Sequence, residues 1–295
     1  MTQALQDEPA PPSSRETVRQ AIGRLGDLPC SLPVIQKAIA AMDDPDCSND
    51  WLESILTADQ GITTRLLRLA NSAYFGVSRK VSTLSMAVAL IGYGRVQTIL
   101  WHIIVAKVFA LLSAKSAAAS RIWKVAIAAG AASRATAQAG WVGDPEELLT
   151  LGLLHNTGDL ALLCQFPEEF LTAEDPGSAT SGSALRSVFG VDSGTAGQWL
   201  LDGWLFPAIF GTACRYWPDP LSTAVGECDR APVAAVHVGV GLARSWIDEI
   251  DAESAARGLS PEAVELLDLD NEAIAEIYAN IKENVSEVRD LLELV

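Results

Sequence analysis

The chain has 295 residues, 49% of them hydrophobic and 20% charged, with a formal net charge of −16. That is ample material for a large core, in one large domain or two small ones. The negative balance argues against nucleic acid as a partner, because such binding rests mainly on neutralising phosphates, and it suits solubility or a protein partner.

Five cysteines, at 30, 47, 164, 214 and 228, form no C-x-x-C pair and leave an odd count. They read as reduced thiols, not as a disulfide framework or a zinc ribbon. Residues 1–14 lack the basic and apolar regions of a signal peptide and carry three prolines, so a disordered N-terminal tail is expected. The most apolar stretch, Ile99–Leu112, is interrupted by His102 and Lys107 and is too short to span a membrane. A cytoplasmic protein with no membrane partner is the expectation.

From Arg15 onward the pattern is helical. Pro33 opens Val34–Met42, and Ser48 is placed to cap Trp51–Ala58. Ile62, Leu66, Leu69, Ala70 and Ala73 form the stripe of a core-facing helix. Thr83 caps Met86–Ile91, and Gly92 and Gly94 break that helix from Arg95–Leu112. Ala117–Ala139 follows and ends at Gly140, and Asp144-Pro145 opens a helix expected to run to about Leu163. Thr172–Ser183 and Leu221–Asp229 read as loops. No run of alternating β-branched residues occurs, so the fold is all-α.

In the last segment, Ser260–Val295, ten acids stand against Lys282 and Arg289. Ile274, Ile281, Val288 and Val295, interleaved with Tyr278, Val285 and Leu292, make a 4-3 seam that Ile277 and Leu291 widen. A widened stripe favours docking on the helix's own domain over pairing with a second copy. A homodimer stays open as the alternative.

The segment Leu28-Pro29-Cys30-Ser31-Leu32-Pro33 leads to Asp43-Asp44-Pro45, then to Thr64-Arg65-Leu66-Leu67-Arg68-Leu69-Ala70-Asn71-Ser72-Ala73-Tyr74-Phe75-Gly76, then to Leu84–Gly92. In that order and spacing it resembles the HD-related output domain family, HDOD. The likeness continues more weakly through Gly152–Gly158 and Phe189–Asp192 to about Tyr216-Trp217, with Ala234–Ala243 as its last piece. The resemblance implies an all-helical body of bacterial signalling proteins, with an N-terminal bundle at about 15–115, a part like the HD phosphohydrolases at about 116–259, and here an acidic C-terminal segment at 260–295. Asn71, Ser72 and Gly76 read as a helix-terminating network, since such residues ordinarily serve caps and turns.

A hydrolytic HD centre needs imidazoles and carboxylates converging on one or two cations. The resemblance places Lys124 where a first imidazole is expected, and gives His155-Asn156 for the His-Asp pair. Ser193 follows Gly190-Val191-Asp192, Tyr216-Trp217 stands for the aromatic-histidine stretch, and Val240 for the final aspartate. These vestigial positions predict no catalytic, cofactor-binding or metal-binding residue. Asp159 and Asp192 read as surface or cap residues, His102 and His237 as buried structural histidines. His155 and Asn156 read as a structural pair at a helix bend that Gly158 eases.

No P-loop, dinucleotide-binding loop or nucleophile elbow is present. The expected function is a non-catalytic signalling module that binds other signalling proteins. Two alternatives stay open. One is a sensor of a nucleotide-like small molecule, using Lys124 and His155 as donors and Trp123 or Trp217 as a stacking face. The other is a residual metal-dependent phosphohydrolase.

Overall fold

A computed structural model describes residues 15–25, 32–42, 44–71, 80–112, 116–173 and 181–294. The tail at 1–14, Ser72, Gly76 and the side chain of His102 lie outside the described residues. Among the described residues there is no strand, and the chain is all-helical, as its periodicity requires.

The helices begin where the sequence supplies caps. After α1 (Arg15–Arg24) and α2 (Leu32–Met42), α3 (Asn49–Leu56) starts where the Ser48 hydroxyl accepts the Trp51 N–H. Asp59 caps α4 (Gln60–Ala70), Thr83 caps α5 (Leu84–Ile91), and Ser116 caps α7 (Ala117–Ala139). Between them α6 spans Tyr93–Leu112, so Gly94 lies inside that helix. Only Gly92, at φ +85°, makes the break, because a left-handed residue cannot continue a helix.

Asp144-Pro145 opens α8 (Pro145–Leu154) as expected. The helix stops at Leu154 instead of running to Leu163. His155 and Asn156 turn the chain, and α9 (Thr157–Gln165) restarts beyond them. The series continues with α10 (Pro167–Ala173), α11 (Ser181–Phe189), α12 (Ser193–Gly203, capped by Asp192) and α13 (Ala208–Tyr216). A short 3₁₀ turn at Glu227–Asp229 leads into α14 (Arg230–Ile247). Then come α15 (Ala252–Arg257), α16 (Pro261–Leu266), α17 (Asn271–Ala279) and α18 (Ile281–Leu294).

The centre of the molecule is α7, packed along α8 on one side and α14 on another. Its middle, Ala126 to Ser133, is buried throughout. Small residues let the backbones approach closely: a Cβ on Gly152 of α8 would lie 2.7 Å from the Ala129 carbonyl. Burial of this kind contributes roughly 25 cal/mol per Å² of apolar surface.

The first helix crosses to the second half of the chain. It packs on α12 and α9, with the Arg15 and Arg19 guanidiniums 5.3 and 5.5 Å from the centre of the Trp199 ring. Trp101 of α6 stacks on Phe206 with ring centroids 4.1 Å apart, and Gln36 of α2 donates to the Trp204 carbonyl at 2.6 Å.

The acidic C-terminal seam docks within its own chain. Ile274, Ile277, Ile281, Val285 and Val288 are buried, with α17 and α18 against α7. Arg134 of α7 holds Glu287 at 2.8 Å. The expected single seam is broken at Asn280, which ends α17, so the heptad spacing is carried by two helices. Among the described residues no single helix is long and apolar enough to cross a membrane. One pair, α5 with Tyr93–Trp101, reaches that length and composition together but is bent by 104°.

Candidate functional site

The break between α8 and α9 sets the site. His155 ends α8 because its ring turns back on its own helix: Nδ1 lies 2.7 Å from the Gly152 carbonyl. A carbonyl only accepts, so Nδ1 carries the proton and Nε2 keeps its lone pair. The ring is 2% exposed, Nε2 has no protein partner, and the ring stands edge-on to Trp217 at 5.6 Å. Burial, helped by the charge of Arg244, pulls the imidazole pKa down to about 3. His155 is therefore neutral at physiological pH.

Asn156 is also buried. Its Nδ2 donates to the Ile122 carbonyl of α7 at 2.9 Å, which stitches the bend to the central helix, and its Oδ1 has no protein partner. Gly158 follows, but its φ is not positive. The bend does not need a glycine for conformation. Its reason is space: a Cβ there would lie 2.6 Å from the Gly197 nitrogen of α12.

Asp159 faces this cluster from the first turn of α9, partly buried and neither on the open surface nor acting as a cap. Burial pushes its carboxyl pKa up, while the Arg244 charge and a hydrogen bond from Ser193 oppose the shift. Asp192 does serve as a cap, accepting from the Thr195 N–H at 2.7 Å and pairing with Arg186 at 2.7 Å. Burial works against its ionisation, but these bonds outweigh it and hold its pKa down.

Arg244, in the last turn of α14, escaped the sequence reading. Its guanidinium carbon lies 4.7 Å from the centre of the Trp217 ring, the same ring that His155 meets at a right angle. The available signal was a lone cation in the otherwise apolar run Ala234–Ala243 and its continuation to Trp246.

The positions that the resemblance singled out thus divide. His155, Asn156, Ser193 and Trp217 come together. Tyr216 lies partly buried beneath Arg215, whose guanidinium is 5.1 Å from its ring centre. Val240 is a fully buried core residue one turn before Arg244. Lys124 is exposed on α7 and supplies nothing to the buried His155. Asn71 closes α4: its amide donates to Leu67 and Val81 carbonyls at 2.7 and 2.8 Å, and its oxygen accepts the Val81 N–H at 2.8 Å.

His237 is bonded through both nitrogens, to the Trp217 carbonyl at 2.9 Å and the Ser260 N–H at 3.0 Å. Cys214, beside the bend, donates to the His155 carbonyl, and burial pushes its thiol up to about 12. It is no nucleophile at neutral pH.

A metal of the kind the HD resemblance implies does not fit these residues. The groups at the bend are one neutral imidazole, one amide whose nitrogen is held by Ile122, and the single carboxylate of Asp159, and a dication needs several deprotonated ligands. Among the described residues no three His, Cys, Asp or Glu side chains are placed to hold a metal ion. Arg244 adds a positive charge that acts on both His155 and Asp159, which opposes a second cation there.

The comparisons with known proteins agree with this architecture. A curated relative from Treponema pallidum (strain Nichols), an uncharacterized protein, is 27% identical over 156 residues; the match spans 52% of this chain and 29% of that one. Among solved structures, an HDOD domain protein of unknown function from Geobacter sulfurreducens superposes with a TM-score of 0.68 at 20% identity, over 94% of this chain and 99% of that one. A Shewanella amazonensis SB2B protein with a provisional phosphohydrolase name gives 0.65 at 21% identity, over 93% and 97%. A Marinobacter aquaeolei VT8 protein, provisionally named for signal transduction, gives 0.65 at 19% identity over 95% of this chain and 65% of that one. At these identities the likeness speaks for the fold. The family model described as HDOD domain matches residues 28–220, and with that match the chain belongs to the HDOD family.

Proposed function

We propose that this chain is a non-catalytic signalling module that works by binding other signalling proteins, with its HD-like part kept as a structural core. The carrying observation is the His155-Asn156 bend. One ring nitrogen and the amide nitrogen are tied to backbone carbonyls, and the carboxylate of a His-Asp pair is replaced by that amide. The family and a structural neighbour provisionally named for signal transduction support the setting. The net charge of −16 speaks against nucleic acid as the partner.

The test joins metal analysis to turnover. Purified protein should carry no stoichiometric Fe, Mn or Zn, and should hydrolyse neither cyclic dinucleotides nor phosphomonoesters with or without Mn²⁺. One metal per chain, or metal-stimulated turnover, overturns the proposal. Asn156→Asp alone should create no activity.

A second reading has one observation in its favour. His155 Nε2 and Asn156 Oδ1 are buried acceptors without protein partners, so a small molecule with hydrogen-bond donors would satisfy both. Exposed Lys124 plays no part in it. A nucleotide that raises the melting temperature by mass action in the wild type, and not in His155→Ala, would favour the sensor.

A further inference from the structure

Helix α7 ends in a Schellman turn, with the Val142 N–H returning to the Ala137 carbonyl at 3.0 Å. The residue that such a turn holds in the left-handed region is ordinarily glycine; here it is Trp141, at φ +53°. Its side chain is 94% exposed, so the indole returns no packing for the strained backbone. The close approach at Gly140 shows what stands beside it: a Cβ there would lie 3.0 Å from the Leu267 carbonyl. Leu266, 46% exposed, and Asp268 flank that contact, and Asp268 takes the same left-handed place at the end of α16, at φ +51°. Trp141 and Leu266 therefore share one corner of the molecule, with Asp144, Glu265 and Asp268 exposed within three positions of one or the other. No Lys or Arg occurs between Arg134 and Arg186, or between Arg257 and Lys282. The last cation before Trp141, Arg134, is engaged by Glu287 at 2.8 Å.

We propose that Trp141 anchors a docking surface for a basic segment of a partner protein, with an arginine or lysine laid on the indole face and apolar side chains on Leu266. The proposal rests on the protein-binding reading and names the chemistry of the partner. A projecting indole encloses no small molecule, whereas tryptophan is among the residue types that most often anchor a protein interface. Charge then selects the partner. A guanidinium is drawn to an indole face, to carboxylates and to the negative end of a long helix, and all three meet where α7 stops. The same carboxylates repel an anionic membrane surface. A second copy related by a two-fold axis would set these acids against themselves.

The experiment follows the fluorescence anisotropy of a labelled helical peptide of Arg, Leu and Ala on the full chain, beside a peptide with Glu in place of Arg. The Arg peptide should bind the wild type and the Glu peptide should not. Trp141→Gly should weaken the Arg peptide roughly tenfold, the scale of losing an interface anchor, while Trp141→Phe keeps most of the affinity. Asp268→Asn should weaken it about twofold. Because glycine suits the left-handed position, Trp141→Gly should melt about 2 °C higher than the wild type, so that lost binding is not lost folding. The proposal is overturned if Trp141→Gly binds the Arg peptide as the wild type does, which would leave only diffuse charge attraction. It is overturned equally if both peptides bind alike or neither binds. A lower melting temperature for Trp141→Gly would make the indole part of the fold and sink the idea. So would a need for Trp141 in pelleting with phosphatidylglycerol vesicles, or in forming a dimer by light scattering. These results bear on this surface alone, whereas metal-stimulated turnover defeats the non-catalytic reading whatever stands at 141.

Discussion

At the scale of single residues, the site is governed by what burial does to polar groups. His155 keeps its ring neutral in the folded chain down to about pH 3, whereas an unfolded imidazole takes a proton near 6.5. Its folded pKa is depressed, so its contribution is present above pH 6.5 and is lost as the pH falls below that value. Between those limits each pH unit costs up to about 1.4 kcal/mol. His237, also held neutral by burial, acts in the same direction. Urea midpoints at pH 7 and pH 4.5 should therefore fall more steeply for the wild type than for His155→Gln; equal slopes would show that the ring is protonated in the fold. At neutral pH, His155→Ala should cost roughly 1–3 kcal/mol, because the Gly152 carbonyl loses its donor. Gly158 gives a sharper contrast. Gly158→Ala should cost roughly 3 kcal/mol, since the new methyl meets backbone of α12. Gly203→Ala, with nothing within 4 Å, should be neutral or slightly stabilising in the same denaturation assay.

At the scale of elements, α17 and α18 show how a charged segment is kept in place. Their buried Ile and Val residues face α7, and Arg134 of α7, with its side chain only 15% exposed, holds Glu287. Apolar burial outweighs the acidic repulsion because Glu272, Glu276, Glu283 and Glu287 stay on the solvent side, where salt screens them. Ile281→Ala should cost about 2–4 kcal/mol, while Lys282→Ala, exposed one residue on, should stay within about 0.5 kcal/mol. Deleting residues 270–295 should lower the melting temperature and expose dye-binding apolar surface. A truncated chain that melts as before but passes from dimer to monomer by light scattering would make the segment an oligomerisation helix instead.

For the whole molecule, contacts cross between the two proposed parts. The arginines of α1 lie over Trp199, Gln36 holds the Trp204 carbonyl, and Trp101 stacks on Phe206. Calorimetry should accordingly show one cooperative transition, with equal calorimetric and van't Hoff enthalpies. Two resolved transitions would mean that the N-terminal bundle and the HD-like part fold as separate domains.

The all-α class and most helix starts were legible in the sequence, because caps at Ser48, Thr83 and Asp144 are local chemistry between residues a few positions apart. The family was legible for a related reason, since its motifs are contiguous words such as Leu66–Gly76. The stop at Leu154 was not, because the run Leu148–Leu163 stays helical and apolar by pattern. What breaks it is His155 turning onto Gly152 and Asn156 reaching across to Ile122. Lys124 was assigned to the centre by its place in the chain, yet helix rotation leaves it in solvent. Arg244 was missed for the converse reason: 89 positions separate it from His155, and only the packing of α13 and α14 brings Trp217 between them. Sequence alone determines the helical class and where most helices start, because both depend on residue identity and near neighbours. The tertiary structure decides which charge balances which, because that depends on distance through space and on how much water is left between the groups.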